Sequence, residues 1–170
     1  GARTYISSTT AHAKKALVVY DKFHVFQKLS MAVDTVRRIE LRKARDAGRD
    51  DLVDMMDCHK RFILLKNKSN LTEKQADHLR RLCEVNEPIF KAMLLKDSFQ
   101  EVYALNDENA ARVCLEAWVQ QALSSGLEIF IAIAESFRDK IQYILNWFKK
   151  RISRYGVKNC QFRLSHKETC

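Results

Sequence analysis

One proline and four glycines in 170 residues leave this chain few ways to turn. A sandwich or barrel of this length needs a turn roughly every eight to twelve residues, usually built on Gly, Pro or Asn-Gly. The residues for those turns are missing, so the chain is expected to be mostly α. Its length suits one domain, at most with a short appendage. Hydrophobic residues at 46% can fill a core, and that share argues against a disordered chain. The longest apolar run, Ile129 to Ala134, is too short to span a bilayer, so no membrane partner is expected.

The net charge of +9 is unevenly spread. Residues 1–60 carry 12 basic and 8 acidic side chains, residues 61–140 carry 11 and 12, and residues 141–170 carry 7 and 1. Basic ends around a neutral middle favour a polyanionic partner near the ends, with a merely solubilising surface as the plainer alternative. The five cysteines are odd in number, none pairs in a C-x-x-C clip, and no signal peptide precedes them, which fits a reduced cytoplasmic setting. Cys83 and Cys114 fall in helical patterns and are expected to be small core residues. The chain begins at Gly1 without a Met and reads as a piece of something longer.

Ala-Leu-Val-Val-Tyr at 16–20 is the one convincing strand, apolar throughout and β-branched in the middle. A helix follows from Lys22 to about Ala47. Phe23, Phe26, Leu29, Val33, Val36 and Ile39 share its apolar face, Arg38, Arg42, Arg45 and Arg49 step along another, and Gly48 lies where a helix ends. Asp50 caps a short helix through Met56, and Phe62 to Leu65 is an ambiguous apolar run. Thr72-Glu-Lys-Gln75 spells a capping box, with Ala76, Leu79, Leu82 and Cys83 expected inward. Pro88 suits a first helical turn, and the helix it starts has Ile89, Met93 and Phe99 among its apolar positions. Asp107 caps the next helix, which stops at Ser124-Ser-Gly126. The last helix is read as continuous from Leu127 to about Ile152, its core stripe set by Phe130, Phe137, Ile141, Ile144 and Phe148. Helical period is lost from Ser153 onward.

Asp21-Lys22-Phe23-His24 is the densest polar cluster beside the strand. A carboxylate at the C-terminal end of a buried strand is where open α/β sheets place their chemistry, while the structural alternative has Asp21 capping the next helix. The histidines are scattered, no pair has zinc spacing, and neither a phosphate loop nor a nucleophile elbow is present, so no metal site is assigned. Arg37, Arg38, Arg42, Arg45 and Arg49, with Lys149, Lys150, Arg151 and Arg154, are the candidate nucleic-acid contacts, because cations neutralise phosphates and release counterions. A solvated basic face is the alternative for the first set, and favourable placement at a helix C-terminus for part of the second.

Val-Val-Tyr-Asp-Lys-Phe-His-Val-Phe-Gln-Lys-Leu at 18–29, with Ala-Val-Asp-Thr-Val-Arg-Arg-Ile-Glu at 32–40, resembles the catalytic-domain core of a bacterial insertion-sequence transposase family of the DDE type. The likeness continues in Arg61-Phe-Ile-Leu-Leu-Lys-Asn67, Asn70-Leu-Thr-Glu-Lys-Gln75 and Ile144-Leu-Asn-Trp-Phe-Lys-Lys-Arg-Ile152. The resemblance implies a helical insertion of a ribonuclease-H-like α/β domain. Residues 1–24 would then be a remnant of its core, 25–152 the helical region including the insertion, and 153–170 an irregular tail. It implies DNA as partner, a homo-oligomer in the full-length transposase, and three carboxylates holding divalent metal (Mg) for attack on phosphodiesters.

Those carboxylates are expected to lie outside this chain or to be replaced. The first two should precede Gly1, and the third should follow Ser153, where Arg154-Tyr-Gly-Val-Lys-Asn-Cys160 stands instead. Asp21 belongs to the family motif but not to the metal-binding three. The resemblance therefore implies an interior piece of a bacterial, nucleoid-associated transposase, out of register after about Ser153. No catalytic residue is assigned, no cofactor is expected on this piece, and it is expected to be inactive alone. A stand-alone helical DNA-binding module or a protein-interaction module are the alternatives.

Overall fold

The computed structural model describes residues 21–148, and among them every regular element is helical. The expected strand at 16–20 and the expected tail at 153–170 lie outside the described residues. Helix α1 (Lys22–Asp46) is followed by the short α2 (Asp50–Met55) and α3 (Arg61–Leu65), and a 3-10 turn at Lys68–Asn70 leads to α4 (Glu73–Val85). Then come α5 (Glu87–Ala104), α6 (Glu108–Leu123) and α7 (Glu128–Arg138). A further helical segment runs over 141–148.

Local chemistry sets most of these boundaries, but the expected Asp50 cap does not form: Asp50 is the first residue of α2, and Arg49 at the cap position makes no side-chain cap bond. Asp21, in extended backbone, accepts a hydrogen bond from the Phe23 N–H at 3.0 Å and opens α1. Gly48 closes it at φ +65, its N–H on the Arg45 carbonyl and the Arg49 N–H on that of Ala44, the paired bonds of a Schellman ending. The capping box forms as read: Gln75 N–H donates to Thr72 Oγ1, and the Thr72 N–H to Gln75 Oε1. Asn86 caps α5 just ahead of Pro88, and Asp107 caps α6 through the Ala110 N–H at 2.7 Å. The ambiguous run Phe62 to Leu65 lies in α3, within five residues of helix.

The expected continuous helix from Leu127 to Ile152 is broken. A turn at Asp139 and Lys140 separates α7 from 141–148, the Lys140 N–H reaching Phe137 O in a tight i to i−3 bond. The Asp139 N–H spans a long 3.4 Å to Glu135 O. The ladder tightens toward 3-10 geometry there without Gly or Pro, enough to end one helix and start another.

Helix α1 is about 37 Å long at 1.5 Å per residue, and α2, α3, α5 and α7 pack along it, while α5, α6 and α7 stack in sequence. Val25, Leu29, Val33 and Val36 of α1 are buried with Phe99, Tyr103, Trp118, Phe130, Phe137 and Phe148 in one core. The period read for α1 has a phase error at both ends. Phe23 is 68% exposed and Ile39 40%, because the buried arc is centred on Val25, Leu29 and Ala32 instead. Ala76 is exposed on α4, and Cys114 lies on the outer face of α6, so neither is a core residue; Cys83 is only half-buried. Burial pushes the Cys83 thiol pKa up.

Candidate functional site

The four residues of the 21–24 motif divide their work. Asp21 is spent on the cap. Lys22, one turn before Phe26 on the same face, places its Nζ 5.5 Å from the Phe26 ring centre, 5.3 Å from that of Tyr103 and 5.4 Å from that of Trp147. Each such contact is worth about 0.5–2 kcal/mol. Three rings from three parts of the chain thus tie the start of α1 to α5 and to segment 141–148. One position on, the helix has turned by 100° and Phe23 points to solvent beside the exposed His24, their ring centres 6.1 Å apart.

Lys22 also borders a cleft of about 660 Å³ with Ser30, Asn67, Lys68, Lys96 and Asp97. Lys96 is 1% exposed, and its ammonium donates to the carbonyls of Leu64 at 2.7 Å and Lys66 at 3.1 Å. It thereby satisfies the open C-terminal end of α3. Burial pushes the Lys96 pKa below the ordinary lysine value. Its neighbour Asp97 pairs with Lys68 at 3.0 Å.

The arginine stripe separates into inner and outer members. Arg37 is 6% exposed and turned inward. It pairs with Asp34 at 2.9 Å, and its NH1 donates to Met56 O at 2.8 Å. This removes it from the candidate contact surface: Arg37 shares the buried side of α1 with Val33 and Val36. Arg38 projects outward but is anchored on the same carboxylate, Nε at 2.9 Å and NH2 at 2.6 Å from Asp34 Oδ2. Arg61 from α3 brings its Nε to 3.3 Å from Asp34 Oδ1, an ionic contact across elements.

Asp34 is 3% exposed. Burial pushes its carboxyl pKa up, but the hydrogen bonds and charges of Arg38 and Arg37 outweigh that and hold it below the usual carboxylate range. Arg42 and Arg45 are exposed on the face of Arg38, with no carboxylate within ion-pair reach among the described residues. Arg49 lies past the end of α1 and is paired with Asp51, whose carboxyl it draws down to about 2. Lys149, Lys150, Arg151 and Arg154 lie outside the described residues.

Sequence reasoning missed Asp34, Arg61 and Lys96. For Asp34 the signal was present: an acid three and four residues before two arginines, within the apolar stripe of a helix, has ion-pair spacing. For Lys96 and Arg61 no local pattern announces the role, since their partners lie 32 and 27 positions away.

From Arg38 to Arg45 the exposed guanidiniums cover about 10 Å of helix axis, the span of several phosphates at about 3.4 Å of axial spacing per strand. No cluster of three His, Cys, Asp or Glu side chains able to hold a metal occurs among the described residues. Asp21 is a cap, Asp34 is enclosed by guanidiniums, and Asp97 is paired with Lys68.

Comparison with known proteins places these features in a family. The pattern of the ISL3-type DDE family, described as "Transposase", matches residues 1–157. The transposase for insertion sequence element IS1001 of Bordetella parapertussis is 28% identical over 135 residues, covering 79% of this chain and 33% of that protein. The transposase for insertion sequence element IS1557 of Mycobacterium tuberculosis is 28% identical over 74 residues, 44% of this chain and 16% of that protein. The chain thus spans about a third of the length of the first relative. No solved structure matches it.

Proposed function

We infer the function from one premise: this chain belongs to the ISL3-type DDE transposase family, which its match over residues 1–157 establishes. It is a portion of an insertion-sequence transposase, and its role in transposition is to hold DNA. The observation that carries this reading is the outer face of α1, where Arg38, Arg42 and Arg45 stand exposed in register, while Asp34 is buried beneath them, Glu40 is paired with Lys43, and Asp46 at the helix end is the one exposed acid of the helix. A helix face on which three guanidiniums outnumber the one exposed carboxylate presents a positive surface to a polyanion. None of the helices among the described residues is long and apolar enough to cross a membrane.

In this reading the helices form the insertion of a ribonuclease-H-like domain, and the reaction at DNA phosphodiesters belongs to a divalent metal pair held elsewhere in the transposase. The described residues do not supply that donor set, so no catalytic step is assigned to them, and the piece is expected to be inactive alone. Lys149, Lys150, Arg151 and Arg154, outside the described residues, are further candidate phosphate contacts by their charge, and self-association belongs to the whole transposase.

Titrating a fluorescent DNA duplex with the 170-residue chain at several salt concentrations tests the reading. The expected result is binding whose affinity falls linearly with log salt, with a slope of about −0.9 for each phosphate neutralised. Replacing Arg42 and Arg45 by Ala should weaken binding and make the slope shallower by about two. Binding indifferent to salt, or none, would favour a protein-interaction module over a DNA-holding one.

A further inference from the structure

Three guanidiniums converge on one buried carboxylate, and only one of them is needed to match its charge. Arg37, itself buried, pairs with Asp34 Oδ1 at 2.9 Å and spends a further donor on Met56 O. That pair is internally complete. Arg38 and Arg61 are therefore surplus cations, with side chains 67% and 42% exposed, drawn together at the α1–α3 junction by the same carboxylate. Arg38 is held through Nε and NH2, which leaves its NH1 edge outward. Arg61 approaches by charge alone, its Nε 3.3 Å from Asp34 Oδ1 without a hydrogen bond, and its two terminal amines make no hydrogen bond to any described residue.

Two like charges side by side at a surface repel. A carboxylate below them reduces that cost, fixes the fork of Arg38 through two hydrogen bonds and draws Arg61 to its side by charge, as an outer partner orients a ligand. A planar fork with free N–H groups, already oriented, binds a phosphate oxygen pair with less loss of side-chain freedom than a free arginine would.

We propose that Arg38 and Arg61 form a clamp for one phosphodiester of duplex DNA, and that Asp34 is the positioning residue that aims them. The proposal rests on the DNA-holding reading above and adds to it a residue from a second element and a buried acid. The site takes a backbone phosphate and reads no base, so it sets where α1 and α3 sit on the duplex without selecting sequence.

The test compares Arg38→Gln, Arg61→Gln, Asp34→Asn and Arg138→Gln in the 170-residue chain by anisotropy with a fluorescent DNA duplex over a salt series. Arg138 is exposed on α7, so its replacement removes the same charge from another helix. The clamp predicts that Arg38→Gln and Arg61→Gln each weaken binding about five- to tenfold at 0.1 M salt and lower the salt slope by about one, with a smaller effect for Arg138→Gln.

Asp34→Asn separates aiming from bulk charge. It makes the chain more positive by one, so diffuse attraction predicts tighter binding, whereas lost aiming predicts weaker binding and a shallower slope. Circular dichroism establishes that each variant is folded. Should Asp34→Asn unfold, the two surface variants, which keep the Asp34–Arg37 pair, decide alone. Salt-dependent binding by the parent chain with no excess loss in Arg38→Gln and Arg61→Gln over Arg138→Gln overturns the clamp and leaves the DNA-holding reading intact. Tighter binding by a folded Asp34→Asn also overturns the aiming role. No salt-dependent binding by the parent chain overturns the DNA-holding reading and the clamp with it.

Discussion

Asp34 shows how a buried charge is kept in a helical core. An ionised carboxylate moved out of water costs several kcal/mol, offset only when partners and hydrogen bonds are in place. Here Arg37 and Arg38 supply both, and the carboxyl pKa falls below its usual range although burial alone would raise it. A carboxyl whose folded pKa is lowered stabilises the fold fully above its unfolded value of about 3.9, and the contribution disappears as pH falls through the folded pKa. The melting temperature of the chain is therefore expected to drop as pH is lowered below about 4.

Asp34→Asn should cost about 3–5 kcal/mol at neutral pH, since it leaves Arg37 buried without a counter-charge, and should flatten the acid limb. Thermal unfolding followed by circular dichroism from neutral pH into acid checks both. A variant whose melting curve falls in acid in parallel with the parent would show that other carboxylates carry the effect. Arg37 and Arg38, adjacent in sequence and read alike, end on opposite sides of the surface because a helix turns 100° per residue. A one-dimensional stripe resolves that difference only when its phase is known, and Asp34 among Ala32, Val33 and Val36 was the residue that could have set the phase.

At the scale of elements, boundaries were legible where a side chain makes them. Thr72, Asp107 and Gly48 act as their types suggest, because capping is a contact within three or four residues and needs no tertiary information. Asn86 caps α5 by the same chemistry but was overshadowed by Pro88. The break at Asp139 and Lys140 was not legible. The stripe Phe130, Ala134, Phe137, Ile141, Ile144, Phe148 keeps steps of three and four straight across it, so the apolar phase survives while the hydrogen-bond ladder tightens.

Capping also gives a measurable magnitude. Thr72→Ala removes the oxygen that accepts the Gln75 N–H, and α4 depends on that box for its first turn after the 3-10 segment. The expected loss is about 1 kcal/mol, read as a lower urea midpoint with an unchanged m value. A changed m value would mean that α4 unfolds as a separate unit. Thr72→Ser, which keeps the hydroxyl, should recover most of the loss.

Across the whole molecule, the scarcity of turn residues anticipated the helical architecture, but the centre of the core is a tertiary property. Phe99 of α5 meets Trp118 of α6 edge-on at 4.7 Å, Phe137 of α7 at 5.4 Å, Tyr103 one turn along at 5.9 Å and Phe26 of α1 at 6.4 Å. The indole N–H of Trp118 donates to Leu95 O at 2.8 Å, which anchors the ring that Phe99 packs on. Sequence period marked Phe99 and Phe137 as apolar-face residues and equally marked Phe23, which is 68% exposed. Periodicity identifies a face, whereas centrality depends on how many elements converge on it.

Removing the Phe99 ring leaves a void that four helices cannot all close together, with an expected cost of about 3–5 kcal/mol, against a total stability of about 5–15 kcal/mol for a domain. Phe23→Ala should stay within about 0.5 kcal/mol, as surface changes do. Urea unfolding followed by far-UV circular dichroism and by tryptophan fluorescence checks both values. Coincident transitions for the two probes would show that the helices meeting at Phe99 unfold as one unit. Equal losses for Phe23→Ala and Phe99→Ala would mean that Phe23 is covered in solution, and that α1 has a packing partner beyond the helices described.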